Sequence, residues 1–283
     1  MRLHVLHRTA YRYAAPASYS IQVLKLTPRR ETMQRALSWR LVTPGRRVEQ
    51  LDAFGNVSHL LTLEGAHSEV VVQAEGVVET DDDCDGYLPP DAGLSSLAYV
   101  LPTPLTRASE AIDALAGRVF RGGPATAAGA LRLMEEVTQS VRYRPGSTRV
   151  SDSASDAMQR GEGVCQDQAH VAIAVCRAAG IAARYVSGHI LTDEEHAASH
   201  AWADVWLAGE GRWLSCDVTH ERPADARLCR LAVGRDYLDA APVRGMRRGG
   251  GDEQLAVQVL VTDAPQRAGD AGQAGTQPQI IQQ

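Results

Sequence analysis

From Cys165 to Ala179 the chain carries one continuous helical pattern, closed at Gly180, and strand-like runs follow at once at 183–191, 201–207 and 212–218. A helix leading straight into short runs rich in β-branched and aromatic residues has to bury itself against the sheet those runs build. The order therefore specifies an α+β arrangement with an antiparallel sheet, not an alternating βαβ one. Gly180 suits the left-handed conformation that ends a helix. Two more strand-like runs, 228–234 and 254–262, and the Gly209-Glu210-Gly211 turn extend the same antiparallel pattern. Upstream, Thr106–Phe120 and Thr126–Val141 repeat apolar residues every three or four positions and read as amphipathic helices, with Leu131, Met134 and Val137 as a core stripe.

The start of the long helix carries the chemistry. GEGVCQDQAH, residues 161–170, delivers Cys165 into a first turn, where unpaired backbone N–H groups and the positive end of the macrodipole favour a thiolate. A free cysteine is more often an inert core residue. SHAWADVW at 199–206 and RWLSCDVTH at 212–220 change that reading, because they add His200 and Asp217 on two successive strands. A thiol nucleophile needs a base, and the base needs an orienting group, so the roles are Cys165 nucleophile, His200 base and Asp217 orienter. His170 lies five residues beyond Cys165, about 140° around the helix, and is expected to pack elsewhere. His189, His196 and His220 are expected to be structural or solvated, and Asp167 to stabilise the helix start.

These motifs resemble the transglutaminase-like superfamily, whose core combines a Gly-x-Cys helix start, a His-Ala-Trp strand and a Trp-x-x-x-Asp strand. GIAARYVSGHI at 180–190 is similar to the strand that follows the family's cysteine helix. LHRTAYRY at 6–13, LTPRRE at 26–31, DAFGNVSHLLTLEGAHSEVVVQA at 52–74 and AVGRDYLDAAPVRG at 232–245 resemble a bacterial subfamily with an N-terminal β domain. Val218 departs from the family's usual proline after the aspartate. The resemblance implies an N-terminal β-sandwich-like domain over 1–100 and a papain/transglutaminase-like catalytic domain over 101–263. In that core the cysteine helix docks on an antiparallel sheet. The Gln-, Gly- and Pro-rich composition of 264–283, a second departure from the family, is expected to give a disordered tail. The resemblance also implies Arg235, Asp236 and Tyr237 as substrate contacts beside the cleft. Trp202 joins them as apolar bulk that holds the imidazole, although core packing alone explains it as well.

Composition narrows the partners. Residues 1–50 hold ten Lys or Arg against two acids, and residues 51–100 hold ten acids and no Lys or Arg. If the two halves pair as strands of one domain, the charges meet across the sheet, so no nucleic-acid partner is expected. Five cysteines without a CxxC pair argue for reduced thiols. Cys216 and His220 have a plausible zinc spacing, yet without a second matched pair neither a metal nor any other cofactor is expected. No stretch approaches the roughly 18 apolar residues of a membrane span, and no signal-like start is present. A cytoplasmic enzyme with no membrane partner is the expectation.

The reading is thiol-dependent acyl transfer on peptide or protein amides. Water as acceptor makes a peptidase or amidase, an amine makes a transglutaminase, and a third possibility is a silent binding module on the same fold. Lys25 is the only lysine among 29 basic residues, so self-cross-linking through lysine is hardly open to this chain.

Overall fold

The computed structural model describes residues 1–91, 93–192 and 198–264. His196 and the tail after Ala264 lie outside them. The chain opens with β1 (Arg2–Leu24), whose inward residues Leu3, Val5, His7 and Thr9 alternate with outward ones as one buried sheet face requires. β2 (Gln34–Val42) and β3 (Arg46–Leu51) follow, and each pairs with part of β4 (Val57–Thr80). β4 itself runs antiparallel along nearly the whole of β1.

Strands of this length do not stay flat. The β1–β4 register shifts between Arg12 and Ala17 and again between Ala17 and Tyr19, irregularities that raise local twist. Leu3 and Val72 from one half of the sheet and Leu24 and Leu61 from the other share one apolar cluster. The sandwich-like domain is therefore built from a single bent sheet. Its basic and acidic stretches meet as anticipated, with Arg2–Glu79 at 3.3 Å, Arg12–Glu69 at 2.9 Å and Arg35–Glu79 at 2.8 Å.

The chain then builds a second unit: β5 (Tyr87–Leu88), α1 (Glu110–Phe120), α2 (Ala127–Ser140), β6 (Arg142–Tyr143), α3 (Ala154–Arg160), β7 (Glu162–Gly163) and α4 (Cys165–Ala178). Next come β8 (Ala183–Ile190), β9 (Ser199–Leu207), β10 (Arg212–Asp217), β11 (Arg222–Pro223), β12 (Leu228–Gly234) and the short α5 (Tyr237–Ala240). The second sheet has the order β11-β10-β9-β8-β12 with β5 on β10, and β6 and β7 form a separate small parallel pair. Gly180, at φ +72°, follows the end of α4. That helix packs across β9 and β8, and its Val171 and Ile173 join Tyr185, Ala203 and Val205 in one core. In α2 the buried stripe is Ala130, Leu133, Met134 and Val137, so Met134 and Val137 lie in the core as expected, whereas Leu131 is exposed and Leu133 takes its place.

β8 is buried at every position, because the second sheet lies between the helices and the first sheet. Cys229 and Leu231 of β12 pack into the core of the β domain. The chain finally returns to its starting sheet: β13 (Val243–Gly249) pairs with the second half of β1, and β14 (Glu253–Asp263) with its first half. This corrects the placement of 254–262 in the catalytic sheet. The acidic, proline-bearing stretch after β4 packs on the second sheet, with Leu88 and Tyr99 buried against Trp213 of β10.

Candidate active site

The Gly-x-Cys motif is explained by how α4 begins. Val164 is extended at φ −105°, ψ −179°, and its N–H donates to Oδ2 of Asp167 at 2.8 Å. That carboxylate caps the first turn from inside, 1% exposed, and lies against Gly163, where an added Cβ would come within 2.7 Å of Asp167 Cβ. Glycine is required by that approach. The cap holds Cys165 as the first helical residue, half-buried, at a turn whose N–H groups have no intrahelical acceptors.

β9 brings His200 beside the cysteine, where the ring and the thiol interact electrostatically. On its other side, Nε2 of His200 donates to Oδ1 of Asp217 at 2.8 Å. Burial lowers the pKa of His200, but the bond to Asp217 and the interaction with Cys165 outweigh it and push the value up to about 10. Burial likewise raises the carboxyl of Asp217, yet bonds from His200 and His220 hold it below the ordinary carboxylate range. An ionised carboxylate only accepts, so Nε2 carries the proton and Nδ1 is left to the thiol. At neutral pH the site holds an imidazolium beside the sulfur.

Trp202 stacks on His200 with centroids 5.8 Å apart and rings 26° from parallel, and its Nε1 donates to Ser215 Oγ at 2.9 Å. Gly188, paired with His200 on β8, makes room for that indole, since a Cβ there would come within 2.6 Å of it. Gln168 ties helix to strand. Its Nε2 donates to the Val141 carbonyl at 2.9 Å, and Thr219 Oγ1 donates to its Oε1 at 2.8 Å, fixing the turn after Asp217.

A cavity of about 560 Å³ opens beside Cys165. Tyr185, Ser187 and Tyr237 line one side, and Tyr11, Tyr13 and Gln22 of β1 with Glu253 of β14 line the other. The returning strands thus complete a wall of the cleft. Of the four residues taken from sequence as substrate contacts, Tyr237 reaches this cavity. Trp202 is fully buried behind His200. Asp236 caps α5 by accepting from the Leu238 N–H, and Arg235 pairs with Asp239 at 2.7 Å, so both are engaged in holding their own loop. His170 packs away from the sulfur, as its helical position requires, and its Nε2 accepts from the Tyr237 N–H at 3.1 Å.

His220 was read from sequence as solvated or structural. Its Nδ1 instead donates to Oδ2 of Asp217 at 2.7 Å. Its place three residues after the aspartate was the only sequence signal, and it says nothing of where the second oxygen points. Ligand atoms of His200, Asp217 and His220 lie within 4.8 Å of one another, the one group among the described residues with the makings of a metal site. Both ring nitrogens facing Asp217 already donate to it, an arrangement suited to moving protons.

A model of the transglutaminase-like superfamily core matches residues 113–218, and one of the bacterial transglutaminase-like N-terminal region matches residues 3–79. The Mycobacterium leprae protein ML0607 is 31% identical over 283 residues, covering 92% of this chain and 98% of that one. Mycobacterium tuberculosis Rv2569c is 32% identical over 273 residues, 87% of each chain. The crystal structure of "a Putative Cysteine Protease from Cytophaga hutchinsonii" shares the fold, with a TM-score of 0.73 over 94% of this chain and 92% of that one at 23% identity. Among the described residues no helix is long and apolar enough to cross a membrane. With its core and its N-terminal region each matched, and relatives alike over nearly their full length, the chain belongs to the transglutaminase-like superfamily.

Proposed function

We propose that the protein is a cysteine-dependent acyl transferase on peptide or protein amides, with water as its main acceptor. The observation that carries this reading is that Cys165 and His200 interact at the wall of one cavity while His200 is hydrogen-bonded to the buried Asp217 behind it. The Cys165 thiolate attacks the amide carbonyl, and the oxyanion that forms is met by the Cys165 N–H at the helix start. His200 gives its proton to the departing amine as the C–N bond breaks, leaving a thioester. Neutral His200 then takes a proton from water as the hydroxyl adds to the thioester, and collapse breaks the C–S bond, releasing the acid and restoring the thiolate beside the protonated His200.

Exposed Ser199, Arg244 and Glu253 line the mouth of the cavity, so water reaches the thioester. Lys25, the sole lysine, is buried and paired with Asp52 at 2.7 Å, which removes the chain's own ε-amine as acceptor. Transamidation is favoured instead by the tyrosines along the cavity, Tyr11, Tyr13, Tyr185 and Tyr237, which offer the apolar walls that hold an amine against water. The two acceptors partition one acyl-enzyme. Incubation with a peptide library and rising primary amine, with products read by mass spectrometry, should give mostly hydrolysis. A dominant transamidation product at low millimolar amine replaces the acceptor and keeps the residue roles. An unchanged product pattern from Cys165→Ala ends the proposal.

A further inference from the structure

Asp217 has no exposed surface, and its two oxygens are committed to different histidines. Oδ1 accepts from Nε2 of His200 at 2.8 Å, and Oδ2 accepts from Nδ1 of His220 at 2.7 Å. The two rings lie 5.3 Å apart and are inclined by 55°, so they grip the carboxylate from different directions. Arg222 approaches Oδ2 only to 3.9 Å, beyond hydrogen-bonding reach. A carboxylate bonded through one oxygen can turn about its Cβ–Cγ bond, which spoils the line to Nε2. A second donor on the other oxygen stops that rotation.

His220 is itself held for the task. It follows Thr219, whose hydroxyl is bonded to Gln168 of the cysteine helix, and precedes Glu221, which takes a left-handed conformation at φ +52°. Its side chain is 33% exposed, against 4% for His200. The hydrogen-bonded pair His200–Asp217 beside Cys165 thus continues to His220 at the surface.

We propose that His220 is a positioning residue of the cysteine site: its Nδ1–H fixes the Asp217 carboxylate so that His200 keeps its proton beside the sulfur. The inference rests on the cysteine chemistry proposed above. The charged and titratable groups around the ring are Asp217 on β10, His200 on β9, Arg222 and Asp225 at β11 and just beyond it, and neighbouring Glu221, which is bonded to Thr138 of α2. Arg222 and Asp225 pair with one another at 3.4 Å, and that leaves Asp217 as the carboxylate His220 serves.

The test compares the full chain with His220→Ala and His220→Asn, measuring the rate of Cys165 alkylation by iodoacetamide from pH 5 to 10, with thermal unfolding of each. Asparagine places an N–H close to where Nδ1 stands, so it should restore what alanine removes. Alanine should slow alkylation at neutral pH several-fold, because a carboxylate free to turn leaves the imidazolium less well placed to stabilise the thiolate. The deficit should vanish well above about pH 8.5, where any free thiol ionises. A wild-type rate and pH profile in His220→Ala overturns the proposal, as does an equal change in both variants that follows their unfolding temperatures. Failure of the wild type to alkylate preferentially at Cys165 would instead overturn the cysteine chemistry itself, so the two outcomes are separable.

Discussion

At the residue scale, five thiols share one chain and their surroundings rank them. Burial pushes Cys176 and Cys229 up to about 12 and Cys216 well above the ordinary thiol value, and it raises half-buried Cys84 as well. Cys165 alone stands at a helix start beside an imidazolium. Limiting iodoacetamide at pH 7 should therefore modify Cys165 first, with peptide mapping as the readout, and faster labelling at another cysteine would reject the assignment. Histidines give a second expectation. Burial lowers His7 to about 4, His170 to about 3, and His189 well below the ordinary range, whereas all three protonate near pH 6.5 once unfolded. Folded values that are depressed mean stability present in full above about 6.5 and lost as pH falls, by about 1.4 kcal/mol per unit per group. His200 has the opposite sign, since a value raised to about 10 gives stability that is complete below about 6.5 and lost as pH rises through 10. Urea midpoints should drop from pH 7 to pH 5, before most carboxylates titrate, and a flat profile there would contradict this. Cys165, His200 and Asp217 were legible in sequence because residue type and order suffice to suggest a thiol, a base and an orienter. His220 was not, because its role depends on the direction of one buried oxygen.

At the scale of elements, the cysteine helix and strands β8 to β10 follow from local pattern: a capped start, a glycine stop, and apolar runs bounded by turns. The destination of β14 does not. Alternation along 254–262 shows that a strand forms, but a sheet edge is chosen by what it completes, and β1 presents an unpaired edge long enough for both returning strands. Equally hidden was the charge cluster between the sheets. Arg184 and Arg230 on β8 and β12 reach Asp204 on β9 at 2.7 and 2.6 Å, and Arg29, Glu31 and Asp91 join from the N-terminal side. Three guanidinium groups face three carboxylates, so the cluster is balanced. Burial raises the carboxyl of Asp204, but the two arginines hold it well below its usual range. Removing one member strands charge in the interior, a cost of about 3–5 kcal/mol. Asp204→Asn should lower stability by about that amount in urea titrations. A loss below about 1 kcal/mol would show that the cluster is hydrated like a surface pair.

For the whole molecule, the path of the chain decides how it unfolds. A sequence that runs from a β-rich third through an acidic, proline-bearing stretch to a helical core suggests two units that melt apart. The folded chain contradicts that at three places. The strand edge of β1 is completed by the last two strands, Cys229 and Leu231 of β12 fill the β domain's own core, and the Arg184–Arg230 cluster binds residues from both units. The first sheet is not finished without strands that follow the catalytic core, and β12 fills the first sheet's own apolar cluster, so partial unfolding would expose the shared core and unpair buried charge together. A single cooperative transition is expected, with hydrogen exchange in β1 and in α4 lost at the same denaturant concentration. The same path governs a nick. Cleavage between Asp81 and Asp83 should leave two fragments that co-elute and keep Cys165 reactive, because the first sheet still holds β13 and β14 from the far side of the cut. Two well-separated exchange midpoints, or fragments that part on a sizing column without denaturant, would show that the β domain and the catalytic core are independent after all, and that the cavity wall formed by Tyr11, Tyr13 and Glu253 is only loosely attached to the cysteine it faces.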